Sequence, residues 1–183
     1  MLSEMILFME MKQMEGILLI DSLFFDTDCI SAFLWVNEEF LLSQLYPTKI
    51  VIPQEVYKEL SNPSILWMKK RIDILVNQNI VIIENIDVDS DEYEIYYKLT
   101  QAPEGTHKII GKGEAASISL AKKHGGILAS NNLKDIKGYI DEFNLKHITT
   151  ADILVEAYKK GLIDEKQGNQ IWKNMLQKKR KIG

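Results

Sequence analysis

Stretches with the pattern of buried strands alternate along the chain with stretches of helical periodicity. GILLIDSLFF (Gly16 to Phe25) is mostly apolar and is followed by two acids, which is typical of a strand covered on both faces. Short apolar runs of the same kind predict four further strands, at Lys49 to Ile52, Ile80 to Ile83, Ile127 to Ala129, and His147 with Ile148.

Helices are predicted between these strands, and several have recognisable ends. Pro53 suits the first turn of a helix that ends at Leu60, before Ser61-Asn62-Pro63. A glycine pair ends the helix Glu114 to His124, and Asp164 is a candidate N-cap. The other predicted helices are Cys29 to Leu45, Ile65 to Val76, Asp89 to Leu99, Asn131 to Phe143, Ala151 to Lys160 and Asp164 to Gln177, with a loop at 104–113.

Strands separated by helix-length segments predict right-handed crossovers, and hence an α/β fold with a mainly parallel sheet covered on both faces. In such folds the functional site lies outside the carboxyl ends of the strands. The acids of interest are therefore those that directly follow a strand or begin a nearby helix.

Composition favours one domain in a reducing compartment. The chain has 183 residues, of which 46% are hydrophobic, enough for one sizeable core. We predict an N-terminal extension at 1–16 and a single domain at 17–183. Cys29 is the only cysteine, which excludes an intrachain disulfide and favours the cytoplasm. The apolar N-terminus is interrupted by charged residues and has neither a signal-peptide pattern nor a bilayer-spanning run. These residues are Glu4, Glu10, Lys12 and Glu15.

The formal net charge of −4 argues against a protein that holds nucleic acid by bulk electrostatics alone. It does not argue against an enzyme whose acids bind cations, because the bound ions reverse the local field. The main basic concentration is the C-terminal tail, which we interpret as a solvated helix end. It consists of Lys178, Lys179, Arg180 and Lys181.

Several acids have the expected position relative to the predicted strands. Asp26 and Asp28 directly follow LFF, and Asp135 follows the strand Ile127 to Ala129 by about one helical turn. Glu114 opens a helix, and Glu59 follows its strand by about two turns. Carboxylates from four separate segments could therefore converge at one edge of the sheet.

Such a cluster needs a counter-ion. Two like charges about 4 Å apart repel by roughly 4 kcal/mol at an effective dielectric constant of about 20. Mg²⁺ or Mn²⁺ removes that cost and suits an all-carboxylate site, where two such ions can promote phosphodiester hydrolysis. Each acid also has an ordinary interpretation: Glu59 as a solvated surface residue, and Glu114 and Asp135 as complements to helix N-termini. Asp26 is the exception, because an acid after a buried strand needs a partner.

Five segments resemble, in chain order, motifs of PIN-domain nucleases. FDTDCISAF (Phe25 to Phe33) resembles their opening strand and turn, in which Asp-Thr-Asn precedes an apolar helix. IVIPQEVYKEL (Ile50 to Leu60) resembles their second element, in which a Glu before Leu is an acid of the site. GKGEAASISLA (Gly111 to Ala121) is similar to the Gly-Glu-Ala helix start of one subgroup of the family. ASNNLKDI (Ala129 to Ile136) is similar to a segment of toxin-type members, and TTADILVEAYKKGLI (Thr149 to Ile163) is similar to the last helix of that same subgroup.

This resemblance, over about Leu18 to Ile163, implies a metal-dependent ribonuclease with a three-layer α/β/α fold. It implies Asp26, Glu59, Glu114 and Asp135 as the four acids, in that order. Asp26, Glu114 and Asp135 would be the metal ligands, and Glu59 would orient a water or bind a second ion. Polar neighbours that position ligands or a phosphate would be Thr27, Ser130 and Asn132. It further implies a homodimer, and a toxin held by a small antitoxin.

The chain also departs from the family pattern. Asp28 replaces the usual Asn, Ser130 replaces Thr, and Ile136 replaces Phe. Some relatives place the last acid where Asn132 stands, and that geometry would make one ligand neutral. Asp21, after ILLI, is a rival for the first acid, but Thr27 and the helix that follows favour Asp26.

Two other functions remain open from the sequence. Asp26-Thr27-Asp28 after a strand is similar to the acid pair of haloacid-dehalogenase-type phosphatases, although their later Asp-Asp pair is replaced by Asn131-Asn132. Alternatively, the fold could serve as a binding or regulatory module with a weakened site, which Asn132 and the negative net charge would favour.

Overall fold

The structure, a computed structural model of the chain, describes residues 21–103 and 108–178. The predicted extension at 1–16 and the first part of the predicted strand Gly16 to Phe25 lie outside these ranges. So do residues 104–107 of the predicted loop and all of the basic tail after Lys178. The domain boundary placed after residue 16 therefore stays a prediction.

Within the described residues, five strands form one sheet in which every pair of neighbours is parallel. The strands lie in the order β3-β2-β1-β4-β5, so β1 is central. This arrangement confirms the predicted α/β class, and β1 is shorter than predicted within the described range. The strands are β1 (Leu23–Phe25), β2 (Ile50–Pro53), β3 (Val81–Glu84), β4 (Ile127–Ala129) and β5 (Lys146–Ile148).

Helices connect the strands and cover both faces of the sheet. They are α1 (Thr27–Val36), α2 (Glu39–Leu45), α3 (Gln54–Leu60), α4 (Leu66–Asn77), α5 (Asp91–Gln101), α6 (Lys112–His124), α7 (Leu133–Phe143), α8 (Thr150–Lys159) and α9 (Glu165–Gln177), with a 3₁₀ turn at Pro63–Ile65.

Alternate residues of the central strand enter two separate cores. Leu23 and Phe25 pack with the inner faces of α1, α4, α8 and α9. Phe24 points to the opposite face and packs with α5, α6 and α7. Because successive strand side chains point to opposite faces, burial on both faces requires a nearly continuous apolar strand. The helix–sheet–helix layering is the three-layer α/β/α fold that the resemblance implied.

Several predicted element boundaries differ from the structure, and three of them bear on the site or the connections around it. The predicted helix from Cys29 to Leu45 is two helices, because Asn37 takes a left-handed conformation (φ 63°) that ends α1. Pro53 is the last residue of β2 rather than part of the helix, and it pairs with Glu84 at the end of the strand. Helix α6 begins at Lys112, so Glu114 is its third residue instead of its first.

Of the large apolar residues on α2 and α4, some lie in the core and others do not. Leu41 is buried, whereas Phe40 and Leu66 are exposed. Trp67 is partly buried and packs edge-on against Trp35. Among the described residues, no helix combines the length and the apolar character needed to cross a bilayer.

Candidate active site

Asp26 lies at the carboxyl end of the central strand and is fully buried. Its backbone N–H donates to Ala129 O of β4 at 3.0 Å, which fixes the residue beside the neighbouring strand. Its side chain is the N-cap of α1, since Oδ1 accepts a hydrogen bond from Cys29 N at 2.7 Å. An Asp is among the best residues for this position because its oxygen satisfies a free N–H of the first helical turn.

The second carboxylate oxygen of Asp26 has no hydrogen-bond partner among the described residues. The pKa of Asp26 is raised to about 7, chiefly because burial disfavours its charged form. The Cys29 N–H offsets part of this rise, and so does the Ser130 hydroxyl, which lies near the carboxylate without meeting the geometry of a hydrogen bond to Oδ2. The charges of Asp28 and Glu114 add to the rise. A buried carboxylate oxygen without a partner costs free energy unless a donor or a cation reaches it.

Glu114 reaches the same edge of the sheet from the first turn of α6. Its Oε2 accepts a hydrogen bond from Gly111 N at 3.4 Å, in the manner of a capping box. Its pKa is raised, mainly by burial, and the charges of Asp28 and Asp135 raise it further. Glu114 is therefore placed among other carboxylates, and this arrangement makes its charged form less favourable.

Asn132 joins Glu114 to Asp135. Its amide nitrogen donates to Glu114 Oε1 at 2.6 Å and to Asp135 Oδ2 at 2.9 Å. Asp135 is in the first turn of α7, as its sequence position predicts. A neutral amide thus satisfies one oxygen of each carboxylate and reduces the cost of keeping the two acids close.

Glu59 makes different contacts. Its Oε1 accepts a hydrogen bond from Gly113 N at 2.9 Å, and its Oε2 accepts one from the Thr27 hydroxyl. Helix α3 packs against α6, which brings Glu59 to the beginning of that helix. Glu59 therefore caps α6 from outside, fixing the turn that carries Glu114. Its predicted role toward a water or a second ion stays a prediction.

Gly113 allows this approach because it has no side chain. A Cβ there would lie 2.8 Å from Thr27 Oγ1 and 2.9 Å from Glu59 Oε2. Both distances are below those that real Cβ atoms adopt, and the backbone of α6 is held by its helical hydrogen bonds. The sequence signal for this close contact is GKGE, in which a glycine precedes the acid directly.

The turn after β4 is fixed by a second set of contacts. Ser130 is buried, donates its backbone N–H to Ile148 O, and accepts a hydrogen bond from Asn132 N on its hydroxyl. Asn131 exchanges two hydrogen bonds with Thr150 at the beginning of α8, at 2.8 and 2.9 Å. Neither Asn131 nor Thr150 was predicted to belong to the metal site. Their pairing spans 19 residues, so the sequence pattern contained no local signal for it.

Asp21 lies at the opposite end of β1 from Asp26. It is about half exposed and pairs with Lys146 at 2.6 Å. Asp21 is therefore remote from the carboxyl ends of the strands, and the structure leaves Asp26 as the acid that follows the central strand.

The acids are close together but do not form a ready-made metal centre. In residues 21–103 and 108–178, no three His, Cys, Asp or Glu side chains stand where they could already hold a metal ion. Two observations nevertheless fit a hard divalent cation with oxygen ligands. Oδ2 of Asp26 is buried without a partner, and the pKa values of Asp26 and Glu114 are both raised, mainly by burial and further by neighbouring carboxylates.

The described residues form an all-parallel α/β/α domain with acids at the carboxyl end of its central strand. A family model described as a PIN domain matches residues 22–182. The chain therefore belongs to the PIN-domain family. A search of curated proteins gave no significant match. The phosphatase alternative has no support from this family assignment, and Asn131, where that class requires an acid, is committed to Thr150.

Proposed function

We propose that this protein is a divalent-metal-dependent ribonuclease that hydrolyses RNA phosphodiester bonds. The observation that carries the proposal is the buried, unpartnered Oδ2 of Asp26 at the carboxyl end of β1. The charges of Asp28 and Glu114 raise the pKa of Asp26, beyond the larger effect of burial. The charge of Asp135 likewise raises the pKa of Glu114. Membership of the PIN-domain family supports nuclease chemistry at this place.

In this proposal Asp26, Glu114 and Asp135 hold Mg²⁺ or Mn²⁺. When bound, the ion would supply positive charge and Lewis-acid chemistry for phosphodiester hydrolysis. The chain's own residues prepare the site. Asn132 holds Glu114 and Asp135 at a fixed spacing, and Glu59 fixes the first turn of α6.

The first test is RNA cleavage with and without metal. We expect the full chain to cleave a labelled single-stranded RNA with Mg²⁺ or Mn²⁺, and to stop when a chelator is added. The ion should also stabilise the fold by about 2.7 kcal/mol at 100 times its dissociation constant, measured as a rise in melting temperature. Cleavage that continues undiminished in excess chelator would refute metal dependence.

A catalytically weakened binding module is the second candidate, and the contacts of Asn132 favour it. A neutral side chain occupies the position between Glu114 and Asp135, where a further acid would strengthen cation binding. The same cleavage assay separates the two functions. An inactive wild type together with an active Asn132→Asp variant would identify a weakened site, whereas an active wild type rules it out.

We extend the proposal to a cytoplasmic toxin that dimerises and is held by a small antitoxin protein. Expression of the wild-type chain in a host cell is expected to arrest growth, and Asp26→Asn should not. Co-expression of the neighbouring gene's product should restore growth. Light scattering should give twice the chain mass of 21.1 kDa. Normal growth with abundant wild-type protein would exclude the toxin role while leaving the nuclease activity to the cleavage assay.

A further inference from the structure

A pocket of about 270 Å³ lies at the carboxyl ends of β2 and β3. Gln54 directly follows β2 and Asn85 directly follows β3, and both line the pocket. Tyr93 and Tyr96 of α5 line it from the other side. Because β2 neighbours β1, the pocket shares its sheet edge with Asp26.

Two helices carry residues of both the pocket and the candidate active site. Glu55 lines the pocket and lies one turn of α3 before Glu59, which contacts Thr27 and Gly113. Ala116 also lines the pocket and lies two residues after Glu114 on α6. The pKa of Tyr96 is raised by burial and then by Glu55, Tyr93 and Glu59, which places the ring within the field of both acids of α3.

The lining suits a flat, uncharged group with a polar edge. The rings of Tyr93 and Tyr96 lie 6.0 Å apart between centroids at 36°, and aromatic faces of this kind stack with nucleobases. Gln54 and Asn85 offer amide donors and acceptors. The charges of Glu55 and Lys58 offset each other in an ion pair of 2.7 Å, which makes the pocket a poor site for a phosphate.

We propose that this pocket binds one nucleobase of the RNA strand next to the phosphate that is cleaved. The inference rests on the proposed ribonuclease function and assigns it a substrate subsite. The volume is just below the lower end of about 300 Å³ for sites that hold drug-sized ligands, which matches one base better than a larger group. Stacking would be tolerant of sequence, with the amides providing any preference among bases.

The test uses fluorescence anisotropy with a short labelled single-stranded RNA and Mn²⁺. All proteins carry Asp26→Asn, so that the RNA is bound without being cut. Tyr93→Leu is expected to weaken binding by about 5- to 150-fold, the range for loss of one stacked base. Tyr97→Leu is the matched control, because Tyr97 is an exposed tyrosine of the same helix that does not line the pocket. It should leave binding within about twofold.

A second comparison identifies the base. RNAs that each lack one base should bind the parent protein more weakly when the missing base is the one held in the pocket. Loss of that same base should not weaken binding to Tyr93→Leu any further. If Tyr93→Leu lowers the melting temperature, Asn85→Ala replaces it, since Asn85 is exposed and its loss should spare the fold. We expect that variant to bind the RNA several-fold more weakly.

Equal binding by Tyr93→Leu and Tyr97→Leu, unchanged binding by Asn85→Ala, or no RNA binding by the parent would each overturn the subsite. None of these results decides the ribonuclease proposal, which depends on metal-dependent cleavage by the wild-type chain. Conversely, absence of cleavage alongside Tyr93-dependent binding would support the pocket and overturn the enzyme.

Discussion

Replacing Asp26 by asparagine is expected to lower RNA cleavage by more than about 100-fold. This is the upper range for losing a residue that merely supports a metal ligand, and Asp26 is proposed to hold the ion itself. Asparagine retains the oxygen that accepts from Cys29 N and is as good an N-cap as aspartate. The fold should therefore persist, and the loss should be confined to the charge. Single-turnover cleavage of a labelled RNA with Mn²⁺ measures the effect.

The stability of the metal-free protein provides an independent measurement of the same residue. The folded-state pKa of Asp26 is raised from 3.8 to about 7, so the folded chain binds a proton that the unfolded chain has released between these values. The contribution of Asp26 to the free energy of unfolding is fully present below about pH 4 and is lost as the pH rises to about 7. The loss is on the order of 4 kcal/mol. Asp26→Asn should lack this pH dependence and be more stable than wild type at pH 7.

Asp21→Asn is the matched control for both measurements. Asp21 lies at the other end of β1, about half exposed and paired with Lys146. Its replacement should change the free energy of unfolding by less than about 1 kcal/mol, as for most surface ion pairs, and should leave cleavage intact. Parallel pH profiles for wild type and Asp26→Asn would contradict the buried, unpartnered carboxylate. Equal cleavage by the two proteins would remove Asp26 from the site.

Gly113→Ala is expected to destabilise the fold by about 1 kcal/mol. The side chains of Thr27 and Glu59 must turn away and lose hydrogen bonds worth about 0.5–1.5 kcal/mol each, against about 0.5–1 kcal/mol gained by alanine in a helix. The new Cβ would meet Thr27 Oγ1 at 2.8 Å and both carboxylate oxygens of Glu59 at 2.9 and 3.0 Å. Relief of this clash requires Glu59 to leave Gly113 N, and the first turn of α6 then loses its outside cap. Cleavage should fall as well, because Glu114 is carried by that turn.

Gly168→Ala is the control for this substitution. Gly168 also lies inside a helix, and its nearest contact for a new Cβ is Ile163 Cδ1 at an ordinary 3.6 Å. Alanine should therefore stabilise α9 by about 0.5–1 kcal/mol. Urea unfolding of the three proteins gives the comparison. If Gly113→Ala is as stable and as active as Gly168→Ala, the close approach of Glu59 to α6 is not required.

Much of the fold could be predicted because its signals are local. Nearly continuous apolar runs identified the strands, and Gly125 and Asp164 marked the ends of helices as expected. The errors occurred where one residue changes the backbone locally. Asn37 ends α1 in a left-handed conformation inside a continuous helical pattern, and the periodicity of apolar residues does not register such a change.

The site was predictable to a smaller extent. The positions of Asp26, Glu114 and Asp135 near strand ends or helix beginnings follow from the sequence, and the structure places them so. The contacts of Glu59 were not predictable. Its spacing from its strand suggested a ligand or a solvated residue, whereas its oxygens contact Thr27 and Gly113, 32 and 54 residues away. The bridging role of Asn132 was likewise not visible in its sequence position.

Most of the strands and helices could be predicted from the sequence, and so could the acid that follows the central strand. These properties depend on hydrophobic periodicity and on residues adjacent in the chain. Tertiary structure alone decided that Oδ2 of Asp26 is left without a partner, that Glu59 caps α6, and that Asn132 joins two carboxylates. The physical reason is that a hydrogen bond requires its two atoms within about 3 Å, and only the packing of distant helices on the sheet fixes such distances.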